Sequence, residues 1–174
     1  MIIVKRVLDD DSVWRWIAKL AQTVAESDDA HAVWSEADVV FARFIGHRLF
    51  TVLGYNEHAG EVIRLYSNQP AQYPVSGTKP MGATPWGDHV LKRGQHFIGK
   101  DAADIEWAFP DHALIASLGL ESVINLPIRV AGKTIGTVNL LHVANFYHQD
   151  QIEIGNTLAT LLAPTMLLRH AARS

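Results

Sequence analysis

The feature that most constrains the fold is a pair of apolar, β-branched runs, SVINLPIRV and TIGTVNLLH, joined at residues 131–133 by the sequence AGK. Two such runs around a short glycine-containing turn predict an antiparallel hairpin. We interpret 131–133 as a three-residue loop, so that Val130 faces Thr134 and, further from the turn, Asn125 faces Asn139. A two-residue turn on the Gly-Lys pair would mix the apolar and polar faces, and the hydrophobic pattern normally sets the register of a hairpin.

The same turn contains the Gly-Lys-Thr sequence that ends a nucleotide-binding phosphate loop. Such a loop needs a glycine at the position that Pro127 occupies here, and proline has no N–H and fixes its own φ. A phosphate loop also leads into a helix, whereas a β-branched strand follows this turn. The segment is therefore interpreted as a β-turn and not as a phosphate site.

Helical periodicity surrounds the predicted strands. Apolar residues recur at helical spacing over residues 12–24 and 30–44, and Gly46 is a suitable stop for the second helix. A third pattern runs over residues 151–169, where Pro164 predicts a kink. The runs HRLFTVLGY and VIRLYS predict a further hairpin. This order of elements predicts an α+β fold, with a mostly antiparallel sheet covered by helices.

Residues 67–84 contain three prolines and two glycines and show no period. Structureless segments of this length tend to be lids, binding loops or disordered. Thr84 then predicts an N-cap with Pro85 at the first helical position, so the loop delivers a short helix that ends at Gly94. A short strand, QHFIG, and two helical turns separated at Pro110 lead on to the hairpin.

Composition excludes several classes of function. The chain has no cysteine, which removes disulfides, thiolate metal sites, cysteine nucleophiles and thioether attachment of a chromophore. Its formal net charge of -3 gives no basic excess, so we expect no nucleic-acid partner. The N-terminus is not patterned as a signal peptide, and the longest apolar stretch, at 158–168, is too short to span a bilayer. We expect no membrane contact and a cytoplasmic location.

The C-terminal third carries an ordered set of motifs: Gly119, the proline-containing run SVINLPI, Gly132 followed by IGTVNL, and Phe146 with Asp150 ahead of the last helix. In this order and spacing the motifs resemble those of a GAF domain, a small-molecule sensory module related in shape to PAS domains. The resemblance spans about residues 48–162. The stretches YPVSGTKP and TPWGDHVL are also similar to a group of stand-alone bacterial GAF proteins.

The resemblance implies a single GAF-like domain over residues 1–174, with N-terminal helices at 1–46, the sheet and pocket-forming segment at 47–150, and a C-terminal helix at 151–174. It implies about six strands, with the N- and C-terminal helices packed on one face. A ligand pocket is expected between the sheet and residues 67–118, and a homodimer is expected to form through the terminal helices. No kinase-like, cyclase-like or DNA-binding segment follows the domain, so we expect a module without an attached output domain that signals through a separate protein.

Several activities of GAF domains can be tested against this sequence. Family members that reduce methionine sulfoxide use cysteines, as does covalent bilin attachment, and this chain has none. The Asn-Lys-Phe-Asp-Glu signature of cyclic-nucleotide GAF domains is absent. Among the nine histidines, no H-x-H or H-E-x-x-H pattern predicts a metal or haem site. The sequence therefore names neither a ligand nor a cofactor.

Asn125 and Asn139 are predicted to contact a ligand, because paired amides on a mixed face offer donors and acceptors to a polar group. The alternatives are a cross-strand amide pair or exposure to solvent. If the two residues line the pocket, Asn125→Ala is expected to weaken ligand binding more than folding.

The other candidate ligand-binding residues lie in the long loop and in the helix that it delivers. Tyr73 and Lys79 can close over an acidic or hydroxylated ligand, although loop lysines are usually solvated. Trp86 can stack on a planar or cationic ligand, or it can simply anchor its helix to the core. His89 is expected to border the pocket. Arg64, on a strand, is interpreted as facing outward.

Three functions remain open. The first is a non-enzymatic GAF module that binds a small organic molecule, which orders the 67–84 lid and shifts the packing of the terminal helices. The second is a cysteine-free enzyme that uses His89 or another histidine as an acid-base group in the same pocket. The third is a protein-interaction subunit whose pocket is filled by its own side chains.

Overall fold

The computed structural model describes residues 11–75 and 77–171 of the chain. Its strands are β1 (Leu49–Asn56), β2 (Glu61–Ser67), β3 (Lys79–Pro80), β4 (Phe97–Gly99), β5 (Ser122–Val130) and β6 (Lys133–His142). They form one sheet in the spatial order β3-β2-β1-β6-β5-β4, and every neighbouring pair is antiparallel. The predicted α+β class and the six-stranded sheet are therefore confirmed.

Helices cover both faces of this sheet. The α-helices are α1 (Asp11–Glu26), α2 (Ala30–Phe44), α3 (Ala102–Ala108), α4 (His112–Ser117), α5 (Ile152–Leu161) and α6 (Ala163–Ala171). A π-helix spans Gly87–Lys92, and a short 3-10 turn precedes α5 at Gln149–Gln151. The kink predicted near Pro164 is present as the break between α5 and α6. In the described ranges, 11–75 and 77–171, none of the helices combines the length and hydrophobicity needed to cross a membrane.

One face of the sheet, which we call the helix face, packs against α1, α2, α5 and α6. Its strands contribute fully buried apolar side chains from β1, β5 and β6: Phe50, Val52, Ile124, Leu126, Ile128, Val138 and Leu140. Burying a side chain of this kind contributes about 1.5–3 kcal/mol. Gly155 lets α5 approach closely, because a Cβ there would lie only 2.8 Å from Leu126 Cδ1. This face is the main hydrophobic core.

The opposite face, which we call the loop face, is covered by the chain between β2 and β5. The long loop returns to the sheet edge, where Lys79 and Pro80 of β3 pair with Val62 and Glu61 of β2. The sequence predicted no regular structure in this loop, so this short edge strand was missed. Proline is tolerated there because an edge position does not need its N–H. The loop is thereby fixed to the sheet at two points.

The helix delivered by the loop is confirmed in place, but it is a π-helix. The hydroxyl of Thr84 accepts a hydrogen bond from the Gly87 N–H at 3.0 Å, as expected of an N-cap. The Arg93 N–H then bonds to the Asp88 carbonyl at 3.0 Å, five residues back, which is the π pattern. Single π turns are frequent at functional sites.

The turn between β5 and β6 corrects one prediction and confirms another. The loop has two residues, Ala131 and Gly132, with φ of 49° and 80°, so the predicted three-residue loop is wrong. Paired positive φ values match the twist of the flanking strands. A bulge next to Arg129 then absorbs one residue, and Asn125 faces Asn139 as predicted.

Candidate functional site

A row of polar side chains crosses the loop face, whereas the helix face of the same strands is apolar. Thr51, Asn139 and Asn125 are direct neighbours on β1, β6 and β5. Trp86 Nε1 donates to Asn125 Oδ1 at 2.9 Å, and Asn125 Nδ2 donates to Asn139 Oδ1 at 2.7 Å. Asn139 Nδ2 donates to Thr51 Oγ1 at 3.2 Å. We call these four buried residues the polar row.

The donors and acceptors of the polar row determine one another. The indole N–H of Trp86 can only donate, so the Asn125 oxygen must face it. The amide nitrogen of Asn125 then meets the Asn139 oxygen, and the amide nitrogen of Asn139 meets the Thr51 hydroxyl. Buried amides are costly unless they are hydrogen-bonded, and here each one has partners. The row therefore holds the π-helix against the sheet in one position.

A cavity of about 210 Å³ lies between the loop face and the segment that covers it. Its polar lining includes Thr51 and Asn139 from the polar row. Its apolar wall includes Leu53, Val62, Met81, Trp86, Phe109, Ile115 and Leu141. The volume is below the roughly 300–1,000 Å³ of sites for drug-sized ligands, so the cavity suits a smaller molecule.

The structure brings four of the predicted ligand-binding residues to this cavity: Tyr73, Lys79, Trp86 and Asn139. Asn125 is fully buried behind them, where its side chain bonds to two members of the polar row. The cross-strand amide pair, which the sequence analysis gave as an alternative to ligand contact, is therefore present. Contact between any of these residues and a ligand stays a prediction.

Both roles weighed for Trp86 have a structural basis. Its side chain is buried, its ring lies 5.6 Å from that of Phe109, and its N–H bonds to Asn125. These contacts anchor the π-helix to the core. One surface of Trp86 nevertheless lines the cavity, so the same residue can contact a bound molecule.

Arg64 also lines the cavity, although it was not among the predicted ligand-binding residues, and its predicted outward orientation is wrong. The loop folds over it, so that its side chain is only 12% exposed. Its guanidinium carbon lies 3.8 Å from the centre of the Tyr73 ring, and its Nη1 donates to the Pro74 carbonyl at 2.6 Å. These partners lie on a separate segment, so a lone strand arginine gives no local signal of them.

Asp111 completes this part of the cavity lining. The hydroxyl of Tyr73 donates to Asp111 Oδ2 at 2.5 Å, and Nη2 of Arg64 lies 4.0 Å from the same oxygen. Burial raises the pKa of Tyr73, and the negative charge of Asp111 raises it further. Tyr73 therefore remains a neutral hydrogen-bond donor. It joins the long loop to the segment between α3 and α4.

The structure does not bring His89 to this cavity. His89 lies in a separate depression with His96, and its Nε2 contacts the His96 carbonyl at 2.9 Å. A carbonyl only accepts, so His89 Nε2 carries the hydrogen, and the bond closes the turn after the π-helix. The pKa of His96 is lowered by burial and then by neighbouring His89. Across 11–75 and 77–171, no group of three or more acidic or histidine side chains is arranged to hold a metal ion.

Comparisons with known proteins agree with the fold. The sequence matches the family model of the GAF domain over residues 29–166. The structure is similar to the GAF domain from an Acinetobacter phosphoenolpyruvate-protein phosphotransferase, with a TM-score of 0.73, 14% identity, and coverage of 93% of this chain and 96% of that chain. It is also similar to the GAF domain of a two-component sensor histidine kinase from Bacillus halodurans, with a TM-score of 0.69, 12% identity, and coverage of 85% and 100%.

A third structural neighbour is the free methionine-R-sulfoxide reductase from Neisseria meningitidis in complex with its substrate, with a TM-score of 0.67, 17% identity, and coverage of 94% and 95%. No curated protein matches the sequence significantly. At these low identities the structural neighbours show a shared fold alone. The family model, however, covers well over half of the sequence, and the chain therefore belongs to the GAF domain family.

Proposed function

We propose that this protein is a sensory or regulatory GAF module that binds one small organic molecule in the cavity on the loop face. The observation that carries the proposal is the cavity itself, about 210 Å³ between a rigid sheet and a covering segment. Its floor contains hydrogen-bonding groups of the polar row and its walls are apolar, which is the usual composition of a small-molecule site. An open cavity favours this function over an interaction subunit with a filled pocket.

The same strands connect the cavity to the terminal helices. On β1, Thr51 lines the cavity, while its neighbours Phe50 and Val52 pack into the helix face. A ligand that binds better when the 67–84 loop is closed shifts the population toward that state. Small displacements of β1 and β6 then alter how α1, α2 and α6 pack. This is the mechanism that we propose for signal output.

The proposed homodimer uses the outer surface of the terminal helices. Trp14 on α1, Val39 on α2 and Leu168 on α6 are large apolar side chains that are exposed. These helices contact one another, and a contiguous apolar patch on a protein surface marks an interaction site. We propose that this surface binds a second copy and that a separate signalling protein reads the dimer.

The proposal is tested by native mass spectrometry of the purified protein, followed by a thermal-shift screen of metabolites. A compound that binds only the folded state raises the free energy of unfolding by about 2.7 kcal/mol at one hundred times its dissociation constant. Ala108 lines the cavity on α3, so Ala108→Leu should abolish the shift by filling the space. Ala113→Leu, at an exposed position on α4, is the matched control and should retain it.

Two outcomes would contradict the proposal. A full thermal shift in Ala108→Leu would show that the compound binds elsewhere, and a screen without any stabilising compound would leave the cavity without a function. Turnover of a stabilising compound would instead favour the enzyme hypothesis. In that case the acid-base groups would be residues other than histidine, because no histidine is in the described cavity lining.

A further inference from the structure

The guanidinium group of Arg64 has donors that the protein does not use. Its Nη1 donates to the Pro74 carbonyl at 2.6 Å. Its Nη2 lies 4.0 Å from Asp111 Oδ2, which is beyond hydrogen-bond length. Its Nε is buried and, among the described residues, has no hydrogen-bond partner. The Nε–H and one N–H of Nη2 lie along the same edge of the planar guanidinium group, so together they form an unused fork.

An unused fork on a charged, buried group is costly to the folded protein. Buried donors are normally paired, and the penalty for an unpaired donor is larger when the group carries charge. Arg64 lines the cavity, and because its Nε has no accessible surface, an acceptor that enters the cavity reaches Nε when the guanidinium group turns toward it. A carboxylate matches this fork with two parallel hydrogen bonds.

The charges around the cavity indicate the sign and number of charges on the ligand. The ionised groups in its lining are Arg64 and Lys79, which are cationic, and Asp111, which is anionic. Two cations and one anion leave one positive charge unbalanced. Asp111 already accepts the hydroxyl hydrogen of Tyr73, and Tyr73 itself is neutral. The lining therefore favours a ligand with a single negative charge.

The volume and the apolar walls of the cavity indicate the size and polarity of the uncharged part of the ligand. A volume of about 210 Å³ is roughly seven times the 30 Å³ that a water molecule occupies in the liquid. That space suits one ring or a branched chain. Trp86, Phe109 and Leu141 offer an apolar surface for such a body. Nucleotides and other polyanions are too large and too highly charged.

We propose that the cavity binds a small monocarboxylate with an apolar body, and that Nε and Nη2 of Arg64 hold its two oxygen atoms. The ring or branched chain packs against Trp86 and Phe109, and Lys79 approaches the carboxylate from the rim. This inference rests on the proposed function, because it names the ligand class of the same cavity.

The test uses three phenyl compounds of similar shape and different charge: phenylacetate, phenylacetamide and phenethylamine. Binding of each to the purified full chain is measured by titration calorimetry. We expect phenylacetate to bind at least about ten-fold more tightly than phenylacetamide, since hydrogen bonds to a charged group are the stronger kind. Phenethylamine should not bind, because its cation meets an unbalanced positive charge.

Three variants assign the preference to Arg64. Arg64→Gln should weaken phenylacetate binding at least about ten-fold and phenylacetamide binding much less, because the amide accepts only a neutral-type hydrogen bond from Arg64. Arg64→Lys should restore only part of the loss because an ammonium is not a fork. Arg129→Gln, at an exposed arginine on β5, is the matched control and should change nothing. Retained phenylacetamide binding also reports that the cavity still forms without the bond from Arg64 to Pro74.

The inference is overturned if phenylacetamide or phenethylamine binds the natural protein as tightly as phenylacetate, or if Arg64→Gln keeps the preference for the anion. It also fails if none of the three compounds binds at millimolar concentration. Failure here is distinguishable from failure of the proposed function. The metabolite screen contains neutral and cationic compounds, and a cavity-dependent hit among those would sustain the binding function while ruling out the monocarboxylate.

Discussion

The two faces of the sheet are made from alternating residues of the same strands, but their side chains do different things. On β6, Val138 and Leu140 enter the core of the helix face, whereas Asn139 between them joins the polar row of the loop face. The helix face is closed by apolar contact with four helices. The loop face has hydrogen-bonded amides, a cavity and an arginine, Arg64, whose Nε has no hydrogen-bond partner among the described residues.

This difference shows how one sheet can separate stability from recognition. Apolar packing on the helix face excludes water and contributes to the free energy of unfolding in proportion to the area buried. On the loop face, polar groups are buried at a cost that their hydrogen bonds offset, so they add little stability but define positions and directions. Changes on the helix face should therefore have the larger effect on folding, and on the loop face only changes to residues that line the cavity should affect binding directly.

The largest expected effect is on the helix face. Leu126→Ala removes a fully buried side chain between β5 and α5, so it should lower the free energy of unfolding by about 2–5 kcal/mol. Urea denaturation measures the change. Leu114→Ala, at an exposed position on α4, is the control and should change stability by less than about 0.5 kcal/mol. Ligand affinity of the folded fraction should stay the same in both variants.

The second effect tests the polar row. Asn125→Ala leaves the Trp86 N–H and the Asn139 oxygen without partners, so stability should fall by about 1–3 kcal/mol in urea denaturation. The sequence predicted that Asn125→Ala would weaken ligand binding more than folding. We now expect the larger effect on folding, because Asn125 is not part of the cavity lining. Asn156→Ala, at an exposed site on α5, is the control. A large loss of binding in Asn125→Ala with unchanged stability would support the prediction from the sequence instead.

A smaller effect is expected where the loop is tied down. Tyr73→Phe removes the hydrogen bond to Asp111, which is partly exposed and can bond to water instead. The free energy of unfolding should fall by about 0.5–1.5 kcal/mol. Amide exchange in the segment 69–75 should become faster, while exchange in α2 stays the same. Equal acceleration in both segments would show that the loop face is not an independent layer.

The smallest effect concerns pH and arises at the edge of the sheet. Burial lowers the pKa of His96 in the folded protein, so the stability it contributes is present above the unfolded value of about 6.5 and is lost as the pH falls. Stability should therefore decline between about pH 7.5 and pH 5.5. His96→Gln should make this decline shallower, as measured by urea denaturation at each pH. An unchanged slope would mean that other groups, such as His142, dominate.

Much of the fold followed from local sequence patterns. Helical periodicity located α1, α2 and the two helices at the C-terminal end, and alternation of apolar residues placed Asn125 opposite Asn139. The two-residue turn was not predicted, because a bulge compensates for it and leaves the outer register unchanged. Periodicity reports which face a residue is on, and it does not report how a turn is closed.

The candidate site was predictable only in part. Tyr73, Lys79, Trp86 and Asn139 were selected from the loop, its helix and the central strand, and all four line one cavity. The orientation of Arg64 depends on a loop that returns over it from a distant part of the chain, and no local pattern encodes such a contact. His89 was misplaced for a related reason: the π turn and the bond to His96 hold it in a separate depression.

We propose that a small molecule binds on the loop face. Amide hydrogen exchange measures this most directly, with and without a saturating amount of a compound that stabilises the protein in the screen. We predict slower exchange over residues 69–84 and in the π-helix Gly87–Lys92, with smaller changes in the terminal helices α1 and α6. Unchanged exchange over these two segments, or protection confined to the helix face, would contradict the account.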